Sequence, residues 1–315
     1  MTGFLNIYKE KGYTSHDVVA IMRKLAGTKK VGHTGTLDPN AQGVLPVCLG
    51  RATKLADYIM AADKTYVAEV ILGITTDTYD ITGTALTETK MDVSESDFMQ
   101  ATLRFIGEQM QIPPMYSAIK VNGKKLYELA RKGEVVARKP RAVTIDNIQI
   151  LSKEQATAYA CFTSDDLYVT QPRFFIKVDC SKGTYIRSLC ADIGAALGCG
   201  ATMGALTRTR SGFFALENAR TLDDVRALGS NFAEVLIPVE TAFPYPRAPV
   251  SESGLRMAMN GNPLPDSMVD FTNNGLHETN NKNIWLYAPG GELIGLFGRI
   301  ETAPDDVKWR VEVMF

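Results

Sequence analysis

Histidine is scarce in this chain. His16, His33 and His277 are the only three, and they lie far apart with no ligand spacing, so a histidine-rich metal site or a Ser-His-Asp triad has little to be built from. Cysteine does not fill the gap. Cys48, Cys161, Cys180, Cys190 and Cys199 form no Cys-x-x-Cys pair and are odd in number, which argues against a zinc ribbon and against a full disulfide set. They read as reduced thiols of a cytosolic protein, serving mostly as packing residues. Long apolar runs are missing too: no stretch approaches the roughly 18 apolar residues that a membrane helix needs, and the opening MTGFLNIYKEKG has no apolar signal core. A soluble, cytoplasmic protein is the expectation. Net charge is close to absent, a formal −1, which argues against a nonspecific polyanion binder, although a local basic patch can survive inside a neutral total. There is no internal repeat and no low-complexity tract. No Gly-Lys-Ser/Thr follows the run GHTGT at 32–36, so a P-loop nucleotide binder is not supported.

What is present is an ordinary globular composition, 45% hydrophobic and 22% charged over 315 residues, enough for one large domain and a small one. The most informative stretch is Lys30 to Gly50, KVGHTGTLDPNAQGVLPVCLG. Gly32, Gly35 and Gly43 permit backbone shapes that other residues avoid, and Pro39 biases Asp38 away from a helical conformation. Asp38 is therefore expected on a bent loop feeding a buried strand, Val44 to Leu49. A single carboxylate on a stiff loop, beside His33, Thr34 and Thr36, has the fixed position that a nucleophile or base needs. An Asp after a glycine-rich turn is also commonly a turn or cap residue, and on this loop alone both readings stand.

Around that loop, Phe4 to Tyr8 reads as a strand, and Ser15 can cap a helix whose apolar face is Val18, Ile21, Met22 and Leu25 and which stops at Gly27. Arg51 to Met60 reads as helical. Thr65 to Leu72 alternates and is rich in β-branched residues, so it reads as a strand, and Asp77 to Gly83 as a polar turn. Ser94 to Asp97 starts a helix running through Phe105. Between Ala118 and Arg141 stand eight bases (Lys120, Lys124, Lys125, Arg131, Lys132, Arg138, Lys139, Arg141) against two acids, Glu128 and Glu134, with Tyr116 and Tyr127 nearby. Bases with interleaved aromatics suit phosphate and nucleobase contacts; a solvated amphipathic helix, with Leu126, Leu129 and Ala130 facing a core, is the other reading. Val143 to Leu151 and Arg173 to Cys180 read as strands. The run Ser181 to Arg187 turns into a helix ending near Gly198 and offers an anion-facing site, to which Arg208 and Arg210 add charge. Pro244, Pro246 and Pro249 mark a stiff linker, beyond which Trp285 to Tyr287, Leu293 to Phe297 and the alternation through Trp309, Val311, Val313 and Phe315 suggest a small antiparallel barrel or sandwich.

Five motifs, GHTGTLDPNAQGVLPVCLGRATK (32–54), DKTY (63–66), GITTDTYDITG (73–83), PPMYSAIKVNGKKLYELARKG (113–133) and SKGTYIRSL with LGCGA (181–201), closely resemble the bacterial tRNA pseudouridine-55 synthases of the TruB type. Their order and spacing match over about 1–215. The resemblance implies an α+β architecture, the pseudouridine synthase fold: a large mixed, mostly antiparallel sheet flanked by helices in a catalytic domain over 1–245, with a small PUA-like β domain over 249–315. It implies isomerisation of one uridine in the T-arm of tRNA, with no cofactor and no metal. By the same resemblance Asp38 stands at the catalytic aspartate, Arg187 at its arginine partner, and Tyr66 at the tyrosine that packs on the target ring and is a candidate for proton transfer. His33 matches the histidine that occupies the space left by the flipped nucleotide. Tyr185 and Leu206 match substrate-pocket positions, and the stretch from about 114 to 141, with Lys120, Lys124, Lys125, Arg131 and Lys132, matches the segment that closes over the T-loop. One departure is visible: where the family usually reads Lys-Pro near its N-terminus, this chain has Lys9 and Glu10, which puts the stiffness of that turn in doubt.

The implied chemistry is self-consistent. A nucleobase inside an RNA loop must be extruded, at a cost of a few kcal/mol, before its glycosidic bond is accessible. A buried carboxylate alone holds its proton, and a permanently cationic partner keeps it ionised. Tyr66 can stack on uracil and carry a proton, although a strand tyrosine is often plain core. The expected partner is tRNA, with no membrane and no obligate protein partner, for a monomer. Two alternatives are a guide-RNA-dependent pseudouridylase, which shares the Asp38 motif, and a noncatalytic tRNA-binding or tRNA-folding module.

Overall fold

The computed structural model describes residues 1–121, 123–162, 168, 170–271, 282–301 and 307–315. His277 lies outside the described residues. The chain runs β1 (Gly3–Lys9), α1 (Ser15–Ala26), β2 (Val31–His33), β3 (Gln42–Leu49), a 3-10 turn at Gly50–Leu55 leading into α2 (Ala56–Ala61), β4 (Lys64–Leu72), β5 (Ile74–Thr76), β6 (Ala85–Glu88), α3 (Glu95–Leu103) and β7 (Gly107–Gln111). It continues through a short hairpin, β8 (Lys120–Val121) and β9 (Lys124–Lys125), then α4 (Leu126–Ala130), β10 (Arg141–Leu151), α5 (Lys153–Thr157), β11 (Arg173–Cys180), α6 (Ile186–Ala196), β12 (Ala201–Ser211), β13 (Phe214–Ala215), α7 (Leu222–Leu228) and α8 (Val239–Ala242). The last part comprises β14 (Arg247–Pro249), α9 (Glu252–Met259), β15 (Leu264–Pro265), β16 (Asn283–Tyr287), β17 (Leu293–Glu301) and β18 (Val307–Met314).

Nine strands form the main sheet, in the order β1-β3-β12-β4-β11-β10-β7 with β13 on β12 and β2 on β3. Every pairing is antiparallel except β3 with β12. The expected mixed, mostly antiparallel sheet is therefore present. Its centre is β4, between β12 and β11, where the alternation read from Thr65 to Leu72 forms the expected strand. Ala68, Val70 and Leu72 point into a core shared with Ile186, Leu189 and Ile193 of α6, while Val67 points the other way, against Leu151, Ala156 and Phe175. Both faces are covered, so alternation on β4 separates two buried faces instead of core from solvent.

Helix α1 shows how local sequence fixes a boundary. Its cap is Thr14, one residue earlier than expected: the Thr14 hydroxyl accepts from the Asp17 N–H at 3.1 Å and Asp17 accepts from the Thr14 N–H at 2.8 Å. The reciprocal pair satisfies two orphan donors and leaves Ser15 free for another task. At the other end Gly27 takes the left-handed conformation, φ 59°, as expected of a glycine stop. The stretch read as one helix from Arg51 to Met60 is a 3-10 turn followed by α2, with Ala52, Leu55 and Ile59 buried on one side.

The C-terminal residues form a five-stranded sheet, β14-β16-β17-β18-β15. The segments after its two edge strands meet at a bridge between Val250 and Val269, which draws the edges together as in a small barrel. Pro249, read from sequence as linker, instead belongs to β14, which pairs in parallel with Trp285 to Tyr287. Proline is tolerated on an edge strand that leaves its N position unpaired.

Candidate active site

The loop carrying Asp38 is tied down from three sides. The Ser15 hydroxyl, released from capping, accepts from the Leu37 N–H at 2.9 Å and donates to the Leu37 carbonyl at 3.2 Å. The Gly12 N–H donates to the Pro39 carbonyl at 2.9 Å. Lys9, fully buried, donates to the carbonyls of Pro39 (3.2 Å), Tyr13 (2.7 Å) and Glu10 (3.1 Å). Where the family's proline is missing, the ammonium group of Lys9 holds the turn. Gly43 ends the loop at φ +104°, and a Cβ there would stand 2.2 Å from the Arg208 carbonyl oxygen, so no other residue fits.

Against this loop, helix α6 presents Arg187, whose side chain is only 6% exposed against 38% for Asp38. The two groups, 149 residues apart in sequence, meet side-on: Nε lies 3.1 Å from Asp38 Oδ2, and Nη2 donates to Oδ1 at 3.3 Å. Nη2 also donates to the Tyr116 carbonyl at 2.8 Å. Nη1 donates to the Thr78 carbonyl at 3.2 Å and lies 3.5 Å from Asp80 Oδ2. Arg187 thus sits between two carboxylates and is no open anion site.

Asp77 to Gly83 is the polar turn expected, but the sequence did not single out Asp80 within it. Its Oδ1 accepts from the hydroxyls of Thr78 and Thr82 and the Thr82 N–H, a self-bonded turn that aims Oδ2 at Arg187. The turn docks on β12 through the hydrogen bonds Met203 N–H to Tyr79 and Ile81 N–H to Met203. A carboxylate among four hydroxyl-bearing neighbours in TDTYDIT, Thr76, Thr78, Tyr79 and Thr82, was the available signal.

Burial pushes the Asp38 carboxyl above the ordinary carboxylate range; Arg187 and, less, Lys9 oppose that rise, and Asp80 adds to it. Burial, helped by the charge of Arg208 and by His16, lowers His33, leaving its ring neutral at pH 7. His33 ends β2 and accepts the Gly35 N–H at 3.4 Å through Nδ1. Tyr66 is half-buried on β4 and packs against the core that contains Leu206. Tyr185 caps α6 with its backbone locked by the amide of Gln111, which accepts from the Tyr185 N–H at 2.7 Å and donates to its carbonyl at 3.0 Å. Gln111, like Asp80, escaped the sequence reading.

The basic segment sits beside this site and has its own small core of Met115, Leu126 and Leu129. Lys120, Lys124, Arg131 and Lys132 are exposed, and Arg131 and Lys125 lie over the Tyr127 ring at 5.4 and 5.3 Å. The amphipathic reading describes α4, which buries Leu126 and Leu129 and turns Glu128 outward, while the cations Lys124, Lys125, Arg131 and Lys132 flank it. By contrast Arg208, read as added surface charge, is buried within the sheet. Among the described residues no group of three or more His, Cys, Asp or Glu side chains is placed to hold a metal ion, and no helix is long and apolar enough to cross a membrane.

The same segments match known families. The TruB family pseudouridylate synthase N-terminal domain model covers residues 23–186, and the tRNA pseudouridylate synthase B C-terminal domain model covers 187–244. The chain is 42% identical to the tRNA pseudouridine synthase B of Alkaliphilus oremlandii over 98% of its own length and 96% of that protein's. It is 49% identical to that of Staphylococcus saprophyticus over 76% of each. Among solved structures, a Cbf5-Nop10-Gar1 complex contains a chain that superposes with a TM-score of 0.69 at 28% identity, covering 99% of this chain and 84% of that one. An H/ACA RNP bound to a substrate RNA containing 2'-deoxyuridine gives a TM-score of 0.68 at 26% identity, with coverage of 99% and 84%. With family models covering residues 23–244 and near full-length relatives at this identity, the chain belongs to the TruB family of pseudouridylate synthases.

Proposed function

We propose that this protein converts the uridine at position 55 in the T-arm of tRNA to pseudouridine, acting in the cytoplasm as a monomer, without a cofactor or metal. The observation that carries the reading is the Asp38–Arg187–Asp80 arrangement, with Asp38 the most open of the three side chains. The extruded uridine enters beside Asp38, whose carboxylate acts on the nucleotide to release the uracil. The bidentate contact with Arg187 opposes the rise in its pKa and fixes its oxygens. Tyr66 stacks on the freed ring and serves as proton carrier, Tyr185 and Leu206 line the pocket, and His33 fills the space vacated in the RNA loop. Lys120, Lys124, Lys125, Arg131 and Lys132 grip the phosphates of the T-loop.

The test is incubation of the purified protein with an unmodified tRNA transcript, followed by mapping of pseudouridine by position. A single product at the T-arm uridine is expected, and a product elsewhere, or none, defeats the reading. The likeness to chains of an H/ACA RNP and of a Cbf5-Nop10-Gar1 complex favours a second reading, an enzyme that works inside a ribonucleoprotein with a guide RNA. Turnover of bare tRNA with no guide RNA added decides against it, as the relatives named tRNA pseudouridine synthase B lead us to expect.

A further inference from the structure

Strand β12 carries a second buried arginine. Arg208 is 1% exposed, and no carboxylate pairs with it among the described residues. Its Nε donates to the Val44 carbonyl at 2.7 Å and its Nη2 to the Gly35 carbonyl at 3.2 Å, so it joins β3 to the turn that leads into Asp38. A Cβ on Gly35 would stand 3.5 Å from Nη1. On the other side, Arg208 is the direct cross-strand partner of Tyr66 on β4, and directly opposed residues project from the same face of a sheet about 5 Å apart. Burying a guanidinium with no counter-charge costs several kcal/mol, and two carbonyls offset only part of it. An apolar residue fills such a strand position at lower cost, so the charge itself points to a use. Lys9 and Lys64, also buried, only add positive charge nearby, each held by carbonyl groups and lowered by burial, and further by Arg208, to about 8.

We propose that Arg208 is a positioning residue for the proton-transfer half of the reaction, fixing the Tyr66 hydroxyl against the target ring and placing a permanent positive charge behind it. The inference rests on the reading of Tyr66 as proton carrier. After the ring has rejoined the ribose through C5, that carbon still bears its hydrogen. The C5–H bond breaks and its proton passes to the Tyr66 oxygen. The bonding pair forms C5=C6, and the pair displaced from N1=C6 ends on N1, which takes up a proton. The net change moves one proton from C5 to N1, so no oxidant or reductant is required. A neutral phenol cannot accept that proton. Burial pushes the Tyr66 phenol above its ordinary value, with Cys180 and Asp38 adding to the rise, and the Arg208 charge and hydrogen bond oppose it.

The experiment compares single-turnover rates on tRNA carrying ordinary and C5-deuterated uridine, between pH 7 and 9. Arg208→Gln, which keeps a hydrogen-bond donor and loses the charge, is expected to bind tRNA like the parent. It should react about 100-fold more slowly at pH 7, the scale of a lost proton-transfer group. The deficit should shrink as pH rises, with a C5 isotope effect larger than the parent's. Arg208→Lys, which restores charge, should stay within about tenfold of the parent with the parent's isotope effect. A glutamine variant within twofold of the parent, or one slowed equally at every pH with an unchanged isotope effect, overturns the proposal. Should the glutamine variant fail to fold, a folded lysine variant slowed about 100-fold at every pH overturns it equally. Tyr66→Phe separates the two layers: parental turnover by that variant defeats the Tyr66 reading itself, whereas an inactive phenylalanine variant beside an unaffected Arg208→Gln defeats only the role of Arg208.

Discussion

Arg187 has five hydrogens to donate, and five oxygens surround it: two from Asp38, one from Asp80, and the carbonyls of Thr78 and Tyr116. A lysine there keeps the charge but loses the planar fork. Breaking such a buried arrangement costs about 3 kcal/mol or more, so Arg187→Lys should lower kcat by roughly 100-fold. A lysine variant running at the parental rate in a tRNA turnover assay would show that the pair is not used. Asp38→Asn should leave tRNA binding intact and abolish turnover, and pseudouridine made by that variant, with contaminating enzyme excluded, would remove Asp38 from its role. The pH dependence follows by sign. In the proposed mechanism the ionised carboxylate is the working form, and its pKa is raised by burial and by Asp80. Single-turnover rates should therefore begin to fall, as pH drops, above the ordinary aspartate value of about 3.9. Asp80→Asn removes one raising charge, so the acid limb should move to lower pH while the plateau rate declines as Arg187 loosens. Of these groups, the motifs around Asp38 and Arg187 were legible in sequence, because each needs its neighbours to form a turn or a helix start. Asp80 was not, because a carboxylate that bonds its own turn has the same spelling whether the turn faces water or an arginine.

At the level of elements, the Asp38 loop and the basic segment make opposite demands. The loop is rigid because its backbone is held by α1, β1 and β12. Gly43→Ala would drive a methyl into the Arg208 backbone at positive φ and should cost well over about 1 kcal/mol, measurable as a lower unfolding midpoint. The segment from 114 to 141 rests on three buried side chains of its own and presents its cations outward. Replacing Lys120, Lys124 and Lys132 by glutamine should weaken tRNA affinity and lower the slope of log Kd against log salt by about one for each phosphate that is no longer neutralised. An unchanged slope would mark the face as merely solvated. Element positions were well legible here, since caps such as Ser94 with Asp97 and stops such as Gly27 act within a few residues. The choice between Thr14 and Ser15 was not, because both can cap and only the distant Leu37 backbone decides which does.

Over the whole molecule, the two sheets share a core. Phe4, Val44 and Phe214 of the large sheet pack with Trp285, Leu296 and Val313 of the small one. The Trp285 indole donates to the Phe243 carbonyl at 2.7 Å, Lys54 donates to the Met314 carbonyl at 2.6 Å, and Tyr58 bonds Glu312. Trp285→Ala should cost about 3–5 kcal/mol and destabilise both sheets together in one unfolding transition; separate transitions, with only the second shifted, would show that the two unfold independently. The β pattern of the C-terminal part was readable from its alternation, but this shared interior was not, since nothing in a local pattern says which face of one sheet meets the other. The single hydrogen bond from Arg187 to the Tyr116 carbonyl has a reach beyond its size. Whatever lifts residue 116 away, an incoming RNA hairpin included, strands a proton of the guanidinium next to Asp38 with nothing to receive it, and an oxygen of the visiting nucleotide is the nearest remedy.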